Sequence, residues 1–334
     1  MSKRLQRAGY ARLVPALRPR TRARRPSAAP RIVVVGDLML DVVLRSDRAL
    51  ETGTDIPGTV SFVQGGSAAT TARWLARLGA NVSLVTAVGR DAAGRALVEA
   101  VRGDGVRVRA ARVAGVRTGR IGVFVGPGAE RSFVADRGAA DRLRPQDLQA
   151  SWFARVDALH LPVYSLLGHP LGDAGRRSIE LARDAGVSLV SVDLASIGPL
   201  LGRGRRVARQ LVMEAAPDLL FATAAEAEAL LGGYGVEGLL DFAPRAVVKR
   251  GPKGATVLSR DGSERLRFEV ATEHMQAADT TGAGDAFDAG FLAGWFAAIA
   301  AGRALPATLR QAAVAGHKAA ARQLSMPRQE LTLG

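Results

Sequence analysis

Five short apolar runs constrain this chain more than any other feature: Ile32 to Val35, Val82 to Val88, Leu189 to Val192, Leu219 to Phe221 and Ala246 to Val248. They are rich in β-branched and aliphatic residues without a polar alternation, the pattern of strands buried on both faces of a parallel sheet. Helical segments lie between them. Ala68 to Leu78 sets Ala72, Leu75 and Ala76 on one side and Arg73 and Arg77 on the other, and Gly79 follows as a C-cap residue. Further helices are expected over Gly94 to Arg102, Gly175 to Asp184, Arg205 to Ala215, Ala225 to Leu231 and Ala286 to Ala300. Strands alternating with helices at this spacing give an α/β fold: a doubly wound, mostly parallel sheet flanked by helices.

Two stretches interrupt the alternation. Residues 42–64 scatter Val43, Ile56, Val60, Phe62 and Val63 among polar residues. Residues 107–137 carry Gly119 to Val125, a Gly-Pro-Gly turn at 126–128 and Arg131 to Val134, the chemistry of a hairpin. Together they are expected to form a small antiparallel β lid projecting from the core. Its apolar face is too small to be stable alone, so it is expected to pair with a second subunit as a homodimer or to close over a ligand.

The formal net charge of +15 raises the question of nucleic acid. Nine of those positive charges, from Lys3 to Arg25, fall within residues 1–30, which contain no acid. The body is only mildly basic and lacks interleaved basic and aromatic residues, which argues against a nucleic-acid partner. Residues 1–30 are therefore set apart as a basic, disordered tail, residues 31–324 as the folded domain and residues 325–334 as a C-terminal tail. The basic tail lacks a sustained apolar segment and is a poor secretory signal. The longest mostly apolar stretch, Phe291 to Ala301, is too short to span a bilayer. The expected location is the cytoplasm. There is no cysteine, which excludes thiol catalysis and Cys-ligated zinc.

Three segments carry chemistry. Asp279-Thr280-Thr281-Gly282-Ala283-Gly284-Asp285 runs into an apolar helix. Its glycines turn the backbone so that amide N–H groups meet an anion at a helix N-terminus, and Asp285 in the first turn can accept a proton from a hydroxyl. Taken alone, Asp285 could equally be a dipole partner of that helix. Gln64-Gly65-Gly66-Ser67 precedes a helix and permits close approach of a ligand. Asp37 and Asp41 follow the first strand, at the strand end where α/β folds hold ligands, and Asp41 can accept hydroxyls or cap a turn.

Taken together, the Gly-Gly segment running to Gly79, Val88-Gly89-Arg90-Asp91-Ala92-Ala93-Gly94, and the Asp279 to Asp285 run resemble the two signatures of the PfkB (ribokinase-like) carbohydrate kinase family over residues 31–324. The resemblance implies an ATP-dependent kinase acting on a hydroxyl of a small sugar, nucleoside or related metabolite. It implies Asp285 as catalytic base and Gly282, Ala283 and Gly284 as the anion hole. Asp41, Gly65, Gly66 and Thr70 fall at acceptor-binding positions. Lys249, Gly251 and Gly254 fall in the nucleotide loop; Thr223 is a further cofactor-binding position, in the N-x-x-E segment whose Glu226 matches the acid that acts on magnesium and phosphate. Asp279 and Thr281 match a monovalent-cation site, for K+, found in many members.

The chain departs from the family pattern at three places. Thr70, Thr223 and Ala313 stand where asparagine is frequent, which bears on acceptor identity, on magnesium–phosphate geometry and on the adenine side respectively. These losses motivate an alternative, a catalytically weak sugar or nucleotide sensor on the same fold. Arg131 reads as an exposed turn arginine, with contact to an anionic acceptor as its other assignment. His160, His169, His274 and His317 show no metal-ligand spacing, and Trp74, Trp152 and Trp295 read as core.

Overall fold

The computed structural model describes residues 29–333 except 129, 274–276 and 278. The basic segment read at 1–30 thus lies outside the described residues apart from its last two, and so does His274.

The main sheet has nine strands in the order β13-β12-β11-β10-β9-β8-β1-β4-β5. Its parallel part consists of β1 (Arg31–Val35), β4 (Asn81–Gly89), β5 (Arg107–Val113), β8 (Ala158–Pro162), β9 (Leu189–Asp193), β10 (Leu219–Thr223) and β11 (Arg245–Lys249). The hairpin of β12 (Ala255–Asp261) and β13 (Glu264–Val270) extends it in antiparallel fashion. Val33 and Val35 of β1 point to one core and Ile32 and Val34 to the other, which is why the run is apolar without alternation. One face is covered by α1 (Ser67–Arg77), α2 (Ala92–Gly103), α7 (Ala283–Ala300) and α8 (Leu305–Ser325). The other is covered by α3 (Leu171–Asp184), α4 (Ile197–Leu201), α5 (Arg205–Ala215) and α6 (Ala224–Leu231). Helix α7 is apolar all round because it is enclosed by the sheet, α1 and α8; its Phe291 is fully buried with its ring edge-on to Phe221 at 5.3 Å.

From β1 the chain winds first toward β4 and β5, then returns through β8 toward β11. The direction reverses beside β1, and the strand ends there open a crevice. Asp37 follows β1, and Asp193, Thr223 and Lys249 end β9, β10 and β11 on the same edge.

A second sheet of four strands, ordered β3-β2-β6-β7, lies over that crevice: β2 (Met39–Ser46), β3 (Gly58–Gly65), β6 (Arg120–Val125) and β7 (Arg131–Asp136). It is built of two antiparallel hairpins joined by a parallel β2–β6 pairing. The lid is smaller than the expected 107–137. Residues 107–113 form β5 of the main sheet, because Val106 and Val108 are buried in the main core beside β4. Val60, Phe133 and Val134 remain exposed on the lid. Among the described residues no helix is long and apolar enough to cross a membrane.

Candidate active site

Helices α1 and α7 point their N-termini at the crevice, and a cavity of about 660 Å3 lies between these ends, the lid and the strand ends. Asp285, in the first turn of α7, lines it and accepts a hydrogen bond from the Ser67 hydroxyl on α1 at 2.5 Å. Gly282 caps α7 in the left-handed region (φ 76°), a conformation that suits glycine. The first-turn amides that follow it have no partner within the helix. Burial pushes the Asp285 carboxyl up to about 7; the Ser67 hydrogen bond and the Lys249 charge pull it down, and Asp193 and Asp37 add to the rise.

Beneath this turn, one helical turn along α7, the buried Asp288 shares the Lys249 ammonium with Asp193. The Nζ lies 3.0 Å from Asp193 Oδ1 and 3.1 Å and 3.2 Å from the two Asp288 oxygens. Burial opposes the charge on Lys249, but Asp193, Asp288 and Glu226 outweigh it and keep the amine protonated. Thr223 and Glu226 form a reciprocal cap on α6: the Thr223 hydroxyl accepts from the Glu226 amide at 3.3 Å and Glu226 Oε2 accepts from the Thr223 amide at 2.8 Å. Burial and the nearby Asp193 raise the Glu226 carboxyl above its ordinary range.

The opposite wall is built from Asp37, Asp41 and Gly65. Asp37 satisfies the start of α1, accepting from Ala68 N through its side chain at 3.1 Å and from Ala69 N through its carbonyl at 3.2 Å. Asp41 packs directly over Gly65, where a Cβ would fall 1.8 Å from Asp41 Oδ1, so only glycine allows the lid strand this close. Arg328 donates through Nη2 to Asp41 Oδ2 and, at 3.1 Å, to the Gln64 carbonyl. Burial raises the Asp41 carboxyl, and the Arg328 charge only partly offsets it. Gln323 of α8 ties the site together, donating to the Thr281 carbonyl at 2.9 Å and accepting from the Trp74 indole at 2.7 Å.

A family model described as pfkB family carbohydrate kinase matches residues 29–327. The chain belongs to that family. It is a kinase. Fructokinase-1 of Oryza sativa subsp. japonica is 30% identical over 269 residues, covering 77% of this chain and 80% of its own. The ATP-dependent ribose-1-phosphate kinase of Halopiger xanaduensis is 32% identical over 274 residues, covering 79% and 84%. Among solved structures, adenosine kinase from Sinorhizobium meliloti superposes with a TM-score of 0.76 at 25% identity, covering 92% of this chain and 98% of that one.

The pfkB-family cavity gathers most of the residues singled out in the sequence. Asp285, Gly282 and Gly284 line the cavity, with Ala283 between them in the same turn. Asp41, Gly65, Gly66 and Thr70 line the lid side, and Thr223, Glu226 and Lys249 the strand-end side. Gly251 and Gly254 do not line this cavity; they form the turn between β11 and β12, where Gly254 packs against the Val270 carbonyl. Ala313 is fully buried in the core on α8, away from the cavity lining.

Arg131 is not the free surface arginine expected of a turn. Its guanidinium reaches from the lid to Asp279 Oδ1 at 2.7 Å, to Thr281 Oγ1 at 2.5 Å and to Thr280 Oγ1. Burial opposes ionization of Asp279, but the Thr281 hydroxyl and amide, with the Arg328 and Arg131 charges, hold its carboxyl below the usual range. The side chains expected to hold K+ are therefore engaged by an arginine. His160, which showed no metal-ligand spacing in the sequence, is a core residue: it is fully buried, 3.0 Å from the Ser191 hydroxyl, and burial lowers its pKa to about 4.

Ser67, Asp193, Asp288, Gln323, Arg137 and Arg328 were not anticipated as site residues. Only Ser67 had a local signal, sitting directly after Gly65-Gly66. Asp288 lies one turn beyond Asp285 on α7, and the others arrive from distant elements.

Proposed function

We propose that this pfkB-family kinase transfers the γ-phosphoryl group of ATP to a hydroxyl of a small sugar or sugar-like metabolite, with Asp285 as the base. The observation that carries the reading is Asp285 itself: a carboxylate with its pKa near 7, in the first turn of α7 beside the Gly282–Gly284 backbone. A base is most effective when its pKa lies near the operating pH. As the acceptor oxygen bonds to the γ-phosphorus, its proton passes to Asp285. The bond from phosphorus to the bridging oxygen breaks, and ADP leaves with that electron pair. The first-turn amides of α7 face the charge of the transferring group, and the Lys249 charge lies behind them. Closure of the lid over the acceptor excludes water and suppresses ATP hydrolysis. ATP-dependent chemistry of this kind fits a cytoplasmic location.

The residues suit a magnesium ion held mainly through phosphate oxygens and water, because Glu226 and Asp193 are single carboxylates already engaged with Thr223 and Lys249. Magnesium, when bound, neutralizes phosphate charge. The Asp279–Thr281 pair does not suit K+ while Arg131 occupies it, and no step is assigned to that ion. The intact Gly282 to Asp285 run favors turnover over a sensor role. The test is acceptor-dependent ADP release with MgATP across ribose, fructose, acidic keto-sugars and nucleosides. Release with one or more of these supports the kinase reading, and release with none returns the sensor alternative.

A further inference from the structure

The names of the relatives already cover a neutral sugar, a sugar phosphate and a nucleoside, so kinship leaves the acceptor class open. Three charged residues that line the cavity narrow it. Arg137 lies at the end of the lid. It spends Nε on Asp141 at 2.6 Å and Nη1 on Asp37 at 3.3 Å, and its guanidinium rests over the Tyr164 ring at 4.7 Å. Its Nη2 is buried and has no partner. Arg328 commits Nη2 to Asp41 and Gln64, while its Nη1 is likewise buried and unpartnered. Asp41 keeps one orphaned oxygen, Oδ1. All three residues line the cavity that holds Asp285. Among the described residues, no other guanidinium Nη atom is buried without a partner.

An N–H group buried without a partner is unfavorable, and a guanidinium left this way is satisfied best by an anionic oxygen. The remaining carboxylate oxygen is a hydroxyl acceptor. We infer that the acceptor is an anionic polyol, a sugar acid or a sugar phosphate, whose carboxylate or phosphate is held by Arg137 and Arg328 while Asp41 takes a hydroxyl. This inference rests on the kinase reading for the identity of the pocket as an acceptor site.

The placement of Arg328 strengthens it. The segment 325–334, read from sequence as a tail beyond the kinase domain, folds back along the lid. The Leu331 amide donates to the Phe62 carbonyl at 2.7 Å and Glu330 bridges to Val63. Chain beyond the last helix is thereby used to carry one cation, with 15% of its side chain exposed, into the acceptor end of the pocket.

The test measures calorimetric binding to the full chain with two matched pairs, gluconate against glucose and ribose 5-phosphate against ribose. The same pairs are then assayed for ADP release with MgATP. At least one anionic member is expected to bind about 10- to 100-fold more tightly than its neutral counterpart, the range of one charge-assisted hydrogen bond. Which pair shows the preference separates carboxylate from phosphate. Arg328→Met should abolish most of that preference, read as the ratio of anionic to neutral affinity within each pair so that any loss shared through Asp41 cancels, and Arg328→Lys, which keeps the charge without the fork, should recover part of it. Circular dichroism checks that both variants fold, and Arg137→Met repeats the test from the other side. Equal binding within both pairs, no binding by any of the four, or an anionic preference that survives both Met variants would overturn the inference. An anionic preference without ADP release from any acceptor would instead count against the kinase reading and leave the anion site standing.

Discussion

Removing the Ser67 hydroxyl should move the pH dependence of the reaction. Ser67 Oγ donates to Asp285 Oδ1, and this bond stabilizes the ionized carboxylate against the burial and the neighboring Asp193 and Asp37 charges that raise its pKa to about 7. A hydrogen bond to a charged group contributes roughly 1.5–3 kcal/mol, and one pH unit corresponds to about 1.4 kcal/mol, so Ser67→Ala should raise the Asp285 pKa by about 1–2 units. The base acts only when ionized. In the wild type, kcat/KM should therefore rise with pH through about 7 and level off above it. In Ser67→Ala the acid limb should shift upward by those about 1–2 units, so that the two enzymes differ by about 10- to 100-fold below neutral pH and converge in alkali. The assay is coupled ADP release across the pH range with an acceptor identified by screening. A variant that loses activity uniformly at every pH, or whose limb moves downward, would refute the claim that this hydroxyl sets the ionization of Asp285.

Other consequences follow from the same geometry. Gly65→Ala would press a methyl group onto Asp41 Oδ1, and acceptor KM should rise well above that of wild type while ATP KM holds; parallel losses in both would mean a global defect. Thr223→Ala deletes the α6 cap and should cost about 0.5–2 kcal/mol in denaturant unfolding, whereas Thr223→Asn keeps a capping side chain and should raise activity or tighten apparent magnesium affinity; a fall in both would mark Thr223 as an adapted residue. Exchanging K+ for tetramethylammonium should leave the wild-type rate unchanged because Arg131 occupies Asp279 and Thr281, and a K+ requirement in wild type would contradict that assignment. Hydrogen exchange in the lid strands should slow when acceptor binds; unchanged exchange, with a dimer in light scattering, would assign the exposed Val60, Phe133 and Val134 to subunit pairing instead.

What could be read before folding followed the range of the signal. The runs that became β1, β4, β9, β10 and β11 are buried on both faces, and such strands advertise themselves by continuous apolar residues. Strand β8 did not, because His160 and Pro162 interrupt its run, yet it pairs between β1 and β9 and buries His160 against Ser191. Likewise, Arg107 to Val113 reads as lid with the hairpin that follows it because its arginines break the continuous apolar run of a buried strand; it is instead the edge strand of the main sheet, where such residues can face solvent. In the site, Asp285, Gly282 and the Gly65-Gly66 pair were legible because their chemistry depends on local backbone. The cation on Asp41 was not. Arg328 lies 287 residues away in sequence, after the last helix, and only the return of the chain along Phe62 and Val63 brings it there. Arg131 was hidden in the same way, since its partners at Asp279 to Thr281 meet it only when the lid is folded over α7.

Asp285→Asn tests most directly whether Asp285 takes the acceptor proton. The substitution keeps the shape of the side chain and the α7 backbone while removing the basic carboxylate. Acceptor-dependent ADP release should fall by about 10²- to 10⁴-fold, the usual contribution of a general base. Nucleotide affinity, measured by calorimetry on the same preparation, should change by less than about tenfold, because the first-turn amides are left in place. If Asp285→Asn turned over acceptor at the wild-type rate, the proton would have another destination and the proposed chemistry of this site would be wrong.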